Sequence, residues 1–245
     1  MMSRIRQNTD PLYLVAKNAI ITNILEDTFK EKLPSEEALC EMLGVSRTTI
    51  REALIELQRE GLITKLHGTG NLIHKKSLLA KMRIDKFSNF EELLESGGYK
   101  VRVERSQVRW VSDPTEYGGP VSEEGDSLFL FIEHIHYADD KPAIVARIFV
   151  RESLLKKEPE DLAMYSGTFR ELLDTGSREK TANSIISFEP AGADSIEADI
   201  LNITENTPLI RWQEKFYSVF DNIICYNRVS FHPTLVNMTL LRRWV

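Results

Sequence analysis

Between Leu33 and Ile73 two short helical patterns flank a three-residue turn, and that spacing leaves few folds open. Leu33-Pro34-Ser35 ends an extended approach, because Pro34 pushes its predecessor out of helical angles. Ser35 is placed to cap a helix, and Glu36 and Glu37 follow where carboxylates complement the helix dipole. Ala38, Leu39, Met42 and Leu43 supply a short apolar face. Gly44 sits where that helix must stop, Val45 plugs the turn into a core, and Ser46 caps the next helix. Arg47, Thr48 and Thr49 fill its first turn, while Ile50, Ala53, Leu54 and Leu57 form its buried stripe. Gly61 closes it. Two β-like runs follow, Leu62 to Leu66 and Asn71 to His74, joined by His67-Gly68-Thr69-Gly70, a composition suited to a tight hairpin. The segment reads as a winged helix-turn-helix, mainly α with a β-hairpin wing.

Such a segment points to duplex DNA. A helix entering the major groove meets base edges with its N-terminal residues. Arg47 and Arg51 are four apart and share a face away from the apolar stripe. Arginine can grip guanine in bidentate fashion, and a threonine methyl can pack on thymine. The bland alternative is a solvated helix face with Arg51 paired to Glu52 or Glu56; the capped helix-turn-helix around it favours DNA. The expected DNA contacts are Ser35, Ser46, Arg47, Thr48, Thr49 and Arg51, with Lys65, His67, Gly68, Thr69 and Gly70 from the wing. A dimer of such heads reads a palindromic operator.

The run Leu33-Pro34-Ser35-Glu36, Gly44 to Thr49, Arg51 to Leu54, Leu57, Glu60-Gly61-Leu62 and the His67 to Gly70 wing closely resembles the GntR family of bacterial transcription regulators. The resemblance covers about forty contiguous positions and implies a regulator that binds DNA as a homodimer. In that family the residue after the Ser-Glu step is usually an arginine that touches DNA. Here it is Glu37, so the operator is expected to differ from the common one.

Charge follows the same division. The chain of 245 residues has a net charge of −6, but residues 1–76 carry 11 Lys/Arg against 10 Asp/Glu. From Gly61 to Ile84 there are five Lys/Arg and no acid, a local patch able to neutralise phosphates. The length suits two domains, with a boundary expected near residue 78: a DNA-binding domain over 1–77 and a second domain over 78–245. Neither a membrane-length apolar run nor an apolar signal core occurs, and the expected location is the cytoplasm. Cys40 and Cys225, in different domains, are expected to form no disulfide and lack metal-site spacing. No cofactor is expected.

Pro11 to Leu25 reads as a first helix that completes a three-helix core, with Tyr13 either reaching a phosphate or covering the core edge. Beyond a charged linker from His74 to Ile84, Phe87 to Ser96 reads as a short helix. Strands are expected over Tyr99 to Val111, Ser127 to Tyr137 and Ala143 to Val150, with Asp139 to Pro142 as a hairpin turn. Thr168 to Leu173 reads as a helix, Ala182 to Glu189 as a strand, and Ala193 to Leu201 as a helix. A second long hairpin spans Pro208 to His232, and Thr234 to Val245 is a final strand or a ragged tail. This order implies an α+β domain, an antiparallel sheet with helices on one side.

The marks Asp139 to Pro142, Thr168 to Leu173, Pro208 to Arg211 and Phe220-Asp221-Asn222 resemble the effector-binding domain of the HutC-type branch of the same family, which carries the name UTRA and a chorismate-lyase-like fold. That resemblance implies a pocket between the two hairpins and the helix opening at Thr168. Two arginines that hold sugar phosphates in several members fall at His134 and His136, and the branch's Glu and Tyr fall at Cys225 and Phe231. Arginine offers a fixed fork to phosphate and histidine does not replace it, so a less phosphate-like effector is expected, a small carboxylate or aromatic compound. Arg147, Tyr226 and Arg228, on neighbouring strands, are expected to add polar contacts to the effector, and Phe90 is expected at the same site. Two other readings stay open: His134 and His136 as half-buried sheet residues without a ligand, or, with His232, as metal ligands lacking a carboxylate partner at obvious spacing.

Three functions compete. The first is an effector-responsive, sequence-specific DNA-binding regulator, read as a repressor. The second keeps the DNA binding but uses the C-terminal domain for dimerisation alone. The third is a lyase-like enzyme, for which no nucleophile elbow, metal motif, P-loop or dinucleotide fingerprint is found.

Overall fold

The computed structural model of the chain describes residues 11–86, 89–121, 128–156 and 169–242. Contacts divide the chain into two compact units, one ending at Lys81 and taking in the chain from Thr239 on, the other Met82–Met238.

The first unit holds α1 (Leu12–Leu25), α2 (Glu36–Leu43), α3 (Arg47–Arg59), β1 (Ile63–Leu66), β2 (Gly70–Ile73) and a single turn of helix, α4 (Lys75–Leu78). Ser35 caps α2 by accepting from the Ala38 N–H, and Ser46 caps α3 by accepting from the Thr49 N–H. Helix α2 ends at Gly44 in the left-handed region. Ala16, Ile20 and Ile24 of α1 meet Leu39, Ile50, Ala53 and Leu57 in one core, onto which Val45 packs from the turn. The α1 stripe is narrower than its periodicity suggests: Leu12 and Val15 are exposed, and Tyr13 is half-buried. Strands β1 and β2 form the antiparallel wing, whose tip holds Gly68 and Gly70 at φ of 75° and 95°. Those angles are open to glycine and strained for most other residues.

The second unit is a six-stranded antiparallel sheet in the order β3-β4-β5-β8-β7-β6. Its strands are β3 (Val101–Val111), β4 (Phe129–Ala138), β5 (Lys141–Arg151), β6 (Thr181–Gly192), β7 (Pro208–Ser218) and β8 (Ile223–Phe231). Asp139 and Asp140 both take positive φ, the two-residue turn that matches strand twist, so β5 starts at Lys141 and absorbs Pro142. The helices are α5 (Phe90–Gly97), α6 (Phe169–Glu171), which continues as a π-helical turn Leu172–Gly176, and α7 (Ser195–Leu201). They do not share one side. Leu93 and Leu94 of α5 pack with Ile144, Trp212 and Phe231, and Leu172 and Leu173 pack with Ile132, Ile148 and Val150. On the opposite face Ala198 and Leu201 of α7 pack with Val145 and Leu209. Both faces of the inner strands therefore have to be covered, which explains the nearly unbroken burial along β4 and β5.

Among the described residues the C-terminal stretch after Phe231 forms no strand, only an isolated bridge residue, and Trp244 lies outside them. The short helix α4 occupies part of the stretch expected as linker. No helix of the described residues is long and apolar enough to cross a membrane.

Candidate functional site

Two constellations stand out, one in each unit. On the first, the caps of α2 and α3 fix the first turns of both helices side by side. Arg47 and Thr48 are exposed and Thr49 is half-buried, its hydroxyl 2.8 Å from that of Ser46. The arginines find partners that periodicity on α3 does not reveal. Arg51 donates to Glu36 at 2.8 Å, not to Glu52 or Glu56, and Arg47 donates to Glu37 at 2.8 Å. Lys65 of the wing reaches the same Glu36 at 3.4 Å. Hydrogen bonding from Arg51 holds the Glu36 carboxyl below its usual range, against a smaller opposing effect of burial. Arg47 and Arg51 each remain 64% exposed, so water still solvates both and the pairs can open. Exposed pairs of this kind contribute little to stability. His67, Gly68, Thr69 and Gly70 are all exposed at the wing tip.

On the sheet, strand register sorts the nine residues expected at an effector site. His134, His136, Cys225 and Phe231 lie on the face covered by α5 and α6, where Phe90 joins them. Arg147, Tyr226 and Arg228 point to the opposite face, so the structure does not bring the nine together. Arg147 donates to Glu133 at 2.9 Å with both side chains buried, and Arg228 faces Glu197 and Asp194 of the α7 end. Side chains alternate along a strand, so odd and even positions of β5 and β8 face opposite ways and cannot line one site. Thr168 lies outside the described residues.

The face bearing the histidines combines aromatic rings with buried polar groups. Phe90 makes edge contacts with His136 at 5.5 Å, Trp212 at 5.6 Å and Phe231 at 5.9 Å between centroids. The His134 and His136 rings are 6.3 Å apart. Arg105 donates its Nε–H to His134 Nε2 at 3.3 Å, which requires a neutral ring accepting at that nitrogen. Burial, then the Arg105 charge, pushes His134 down to about 4. Burial, then His134, pushes His136 down to about 3, and among the described residues its Nδ1 has no hydrogen-bond partner. Next to this row Glu214 accepts from Ser184 at 2.6 Å and from Trp212 Nε1 at 3.3 Å. Burial raises the Glu214 carboxyl despite these bonds. Asn227, opposite it in register, is 5% exposed, and its Oδ1 has no hydrogen-bond partner among the described residues. Buried acceptors without donors are costly unless a ligand or water supplies them. Arg105, Trp212, Glu214 and Asn227 were missed from sequence, although Trp212, Glu214 and Phe216 alternate, which put a carboxyl on an inward phase.

The opposite face carries a cavity of about 280 Å³ lined by Gly118, Gly119, Phe149, Gln213, Tyr226 and Arg228 among others. Gly118 there takes φ of 72°, and a Cβ on it would lie 1.7 Å from Arg228 Nη1. The carbonyl of Gly118 accepts from the Arg228 guanidinium at 3.2 Å, and a side chain at this position would be strained and would push the guanidinium aside. Among the described residues no cluster of three or more His, Cys, Asp or Glu could hold a metal ion, so His134, His136 and His232 form none. Cys40 and Cys225 are free thiols.

The neutral histidines give an acid-sensitive prediction. Folded pKa values of about 4 and about 3 lie below the ordinary 6.5, so between these limits the unfolded chain binds more protons. Stability is full above pH 6.5 and falls as pH drops, by up to about 2 kcal/mol per ring at pH 5. Melting temperatures of the native chain and of a His134→Gln/His136→Gln variant across pH 7 to 5 check this. The acid loss should be shallower in the variant. Arg105 and Glu91, the latter 3.7 Å from His136 Nε2, are the charged groups facing this pair.

A capped helix-turn-helix with a glycine-tipped wing, followed by a two-faced antiparallel sheet, defines a transcription-regulator head and an α+β module in one chain. The description of the bacterial regulatory proteins of the gntR family matches residues 12–73, and that of the UTRA domain matches residues 98–236. The chain belongs to the GntR family and carries a UTRA domain. It is 22% identical over 207 residues to the transcriptional repressor NagR of Bacillus subtilis, covering 84% of each chain. It is 27% identical over 137 residues to YurK of the same organism, an uncharacterized transcriptional regulator, covering 55% of this chain and 56% of that one. The crystal structure of YydK, a possible transcriptional regulator also from Bacillus subtilis, superposes with a TM-score of 0.71 at 18% identity, covering 95% of this chain and all of that one.

Proposed function

We propose that this protein is an effector-responsive transcription regulator, acting as a repressor, that binds a palindromic operator as a homodimer. The observation that carries the reading is the exposed first turn of α3, where Arg47, Thr48 and Arg51 stand clear of the core behind a Ser46 cap. Its expected partners are duplex DNA, a second copy of itself and a small molecule, and its expected place is the cytoplasm. The name of NagR supports repression over activation. We read the UTRA domain as a sensor without catalytic activity.

The effector site is the sheet face that holds Phe90, His134, His136, Trp212, Glu214 and Asn227. Neutral histidines cannot replace arginine forks on a phosphate. Rings at Phe90, Trp212 and Phe231 favour an apolar or aromatic body, and the acceptors at Asn227 and Glu214 favour a ligand bearing a hydrogen-bond donor. The effector shifts the heads between arrangements by a differential affinity, typically about 1–3 kcal/mol.

Gel-shift titration on the promoter region of its own gene tests the DNA half. Saturable, sequence-dependent shifts are expected; binding indifferent to sequence at physiological salt would sink it. Thermal-shift screening of sugar phosphates against small aromatic carboxylates and amides tests the sensor half. The second group should raise the melting temperature and release the operator.

A further inference from the structure

We propose that Glu37 is a specificity-determining residue of the DNA-reading surface, selecting cytosine beside the base that Arg47 contacts. This rests on the DNA-binding reading above. The Glu37 carboxylate lies 2.8 Å from the Arg47 guanidinium, and the two side chains are 71% and 64% exposed. Among the described residues Glu37 pairs with Arg47 alone. Glu36 differs: it is 25% exposed and shared by Arg51 and Lys65, so it serves as a fixed counter-ion. Any base edge that Arg47 reaches therefore lies within one side chain of a solvent-facing carboxylate.

When Arg47 turns to a guanine edge, its pair with Glu37 opens. A carboxylate is then left against a polyanion. It is repelled by phosphates and by the acceptor edges of guanine and thymine, and losing water without a donor is costly. Cytosine itself presents only its amino donor to the major groove, and the neighbouring acceptors belong to the guanine that Arg47 can neutralise, whereas adenine sets its own N7 next to its amino group. The geometry points to a guanine for Arg47 and a cytosine for Glu37 on the same or the adjoining base pair of each half-site.

Selection of bound duplexes from a randomised pool by the full-length chain tests this, with Glu37→Gln and Glu37→Arg alongside. The native chain should select cytosine at one position per half-site, and exchanging that base should weaken binding roughly 5- to 150-fold. Glu37→Gln should move the preference to adenine and Glu37→Arg to guanine. Each variant should melt within a few degrees of the native chain, since the position is exposed and a first-turn charge is worth only about 0.3–1 kcal/mol. If Glu37→Gln keeps the native preference and binds every sequence more tightly, with a steeper salt dependence, Glu37 is only a counter-ion and the proposal fails. If the native chain selects no sequence at all, the DNA reading itself fails first.

Discussion

Replacing Glu197 with alanine should destabilise the sheet domain by about 3–5 kcal/mol, the range for removing one partner of a buried ion pair. Glu197 is 1% exposed and sits in a capping box with Asp194 at the start of α7. It accepts from Arg211 at 2.8 Å, from Arg228 at 3.2 Å and from Ser230 at 2.6 Å. Two arginines on neighbouring strands thus share one carboxylate, and its loss leaves, among the described residues, Arg211 ion-paired with the half-exposed Glu189 alone and Arg228 with the half-exposed Asp194 alone. The melting temperature should fall by on the order of 10 °C. Glu197→Gln, which keeps the hydrogen-bonding shape, should lose less. Adding Arg228→Ala to Glu197→Ala should restore part of the loss, because the stranded charge goes with it. A drop under about 1 kcal/mol would show that water reaches the site.

The same carboxyl has a pH signature distinct from that of the histidines. Burial opposes its ionisation, but hydrogen bonds from Arg211 and Ser230, the Asp194 N–H and the Arg211 charge together outweigh it and hold the group at about 2. Its stabilising effect is present above the ordinary 4.5 and drains as pH falls toward 2, on the order of 3 kcal/mol in all. The histidine loss should therefore come first on acidification and the Glu197 loss second.

The second large effect is on DNA. Arg51→Ala and Arg47→Ala should each weaken operator binding roughly 5- to 150-fold and relax preference at one base position. Lys65→Ala should instead weaken all sequences alike and reduce the salt slope by about 1, the mark of a phosphate contact. Because Arg51 is tied to Glu36, its alanine variant also frees a carboxylate near the groove, so Arg51→Ala should lose more than Arg51→Ala/Glu36→Gln. Native operator affinity in both single arginine variants would overturn the assignment of α3 as the reading helix.

The reading head was legible in sequence almost residue by residue, since its caps, its glycine turn and its apolar stripe are local signals. Ser35, Ser46 and Gly44 do what their types suggest. The counter-ions were not legible, because Glu36 and Glu37 meet Arg51 and Arg47 only once α2 folds against α3. On the sheet, strand positions followed from alternation and turn chemistry, but the sorting of residues to faces needed the register across β5 and β8. Arg147 and Arg228 stand opposite each other in that register, on the face turned away from His134, which sequence spacing alone does not reveal. The wrap of helices over both faces was also hidden, as α7 is short and its partners lie on distant strands.

The sheet order has one more consequence. Strands β3 to β5 and strands β6 to β8 are each joined through near neighbours in the chain, and the halves meet along a single seam where Ile144 faces Phe231 and Val150 faces Cys225. Closing that seam brings together segments far apart in sequence, the slow kind of event in folding. Phe231 and Asn227 lie on one side of the seam and His134 on the other, so a molecule bound there would staple the two halves. Bound there, it should slow the parting of the two halves and so the unfolding of the sheet.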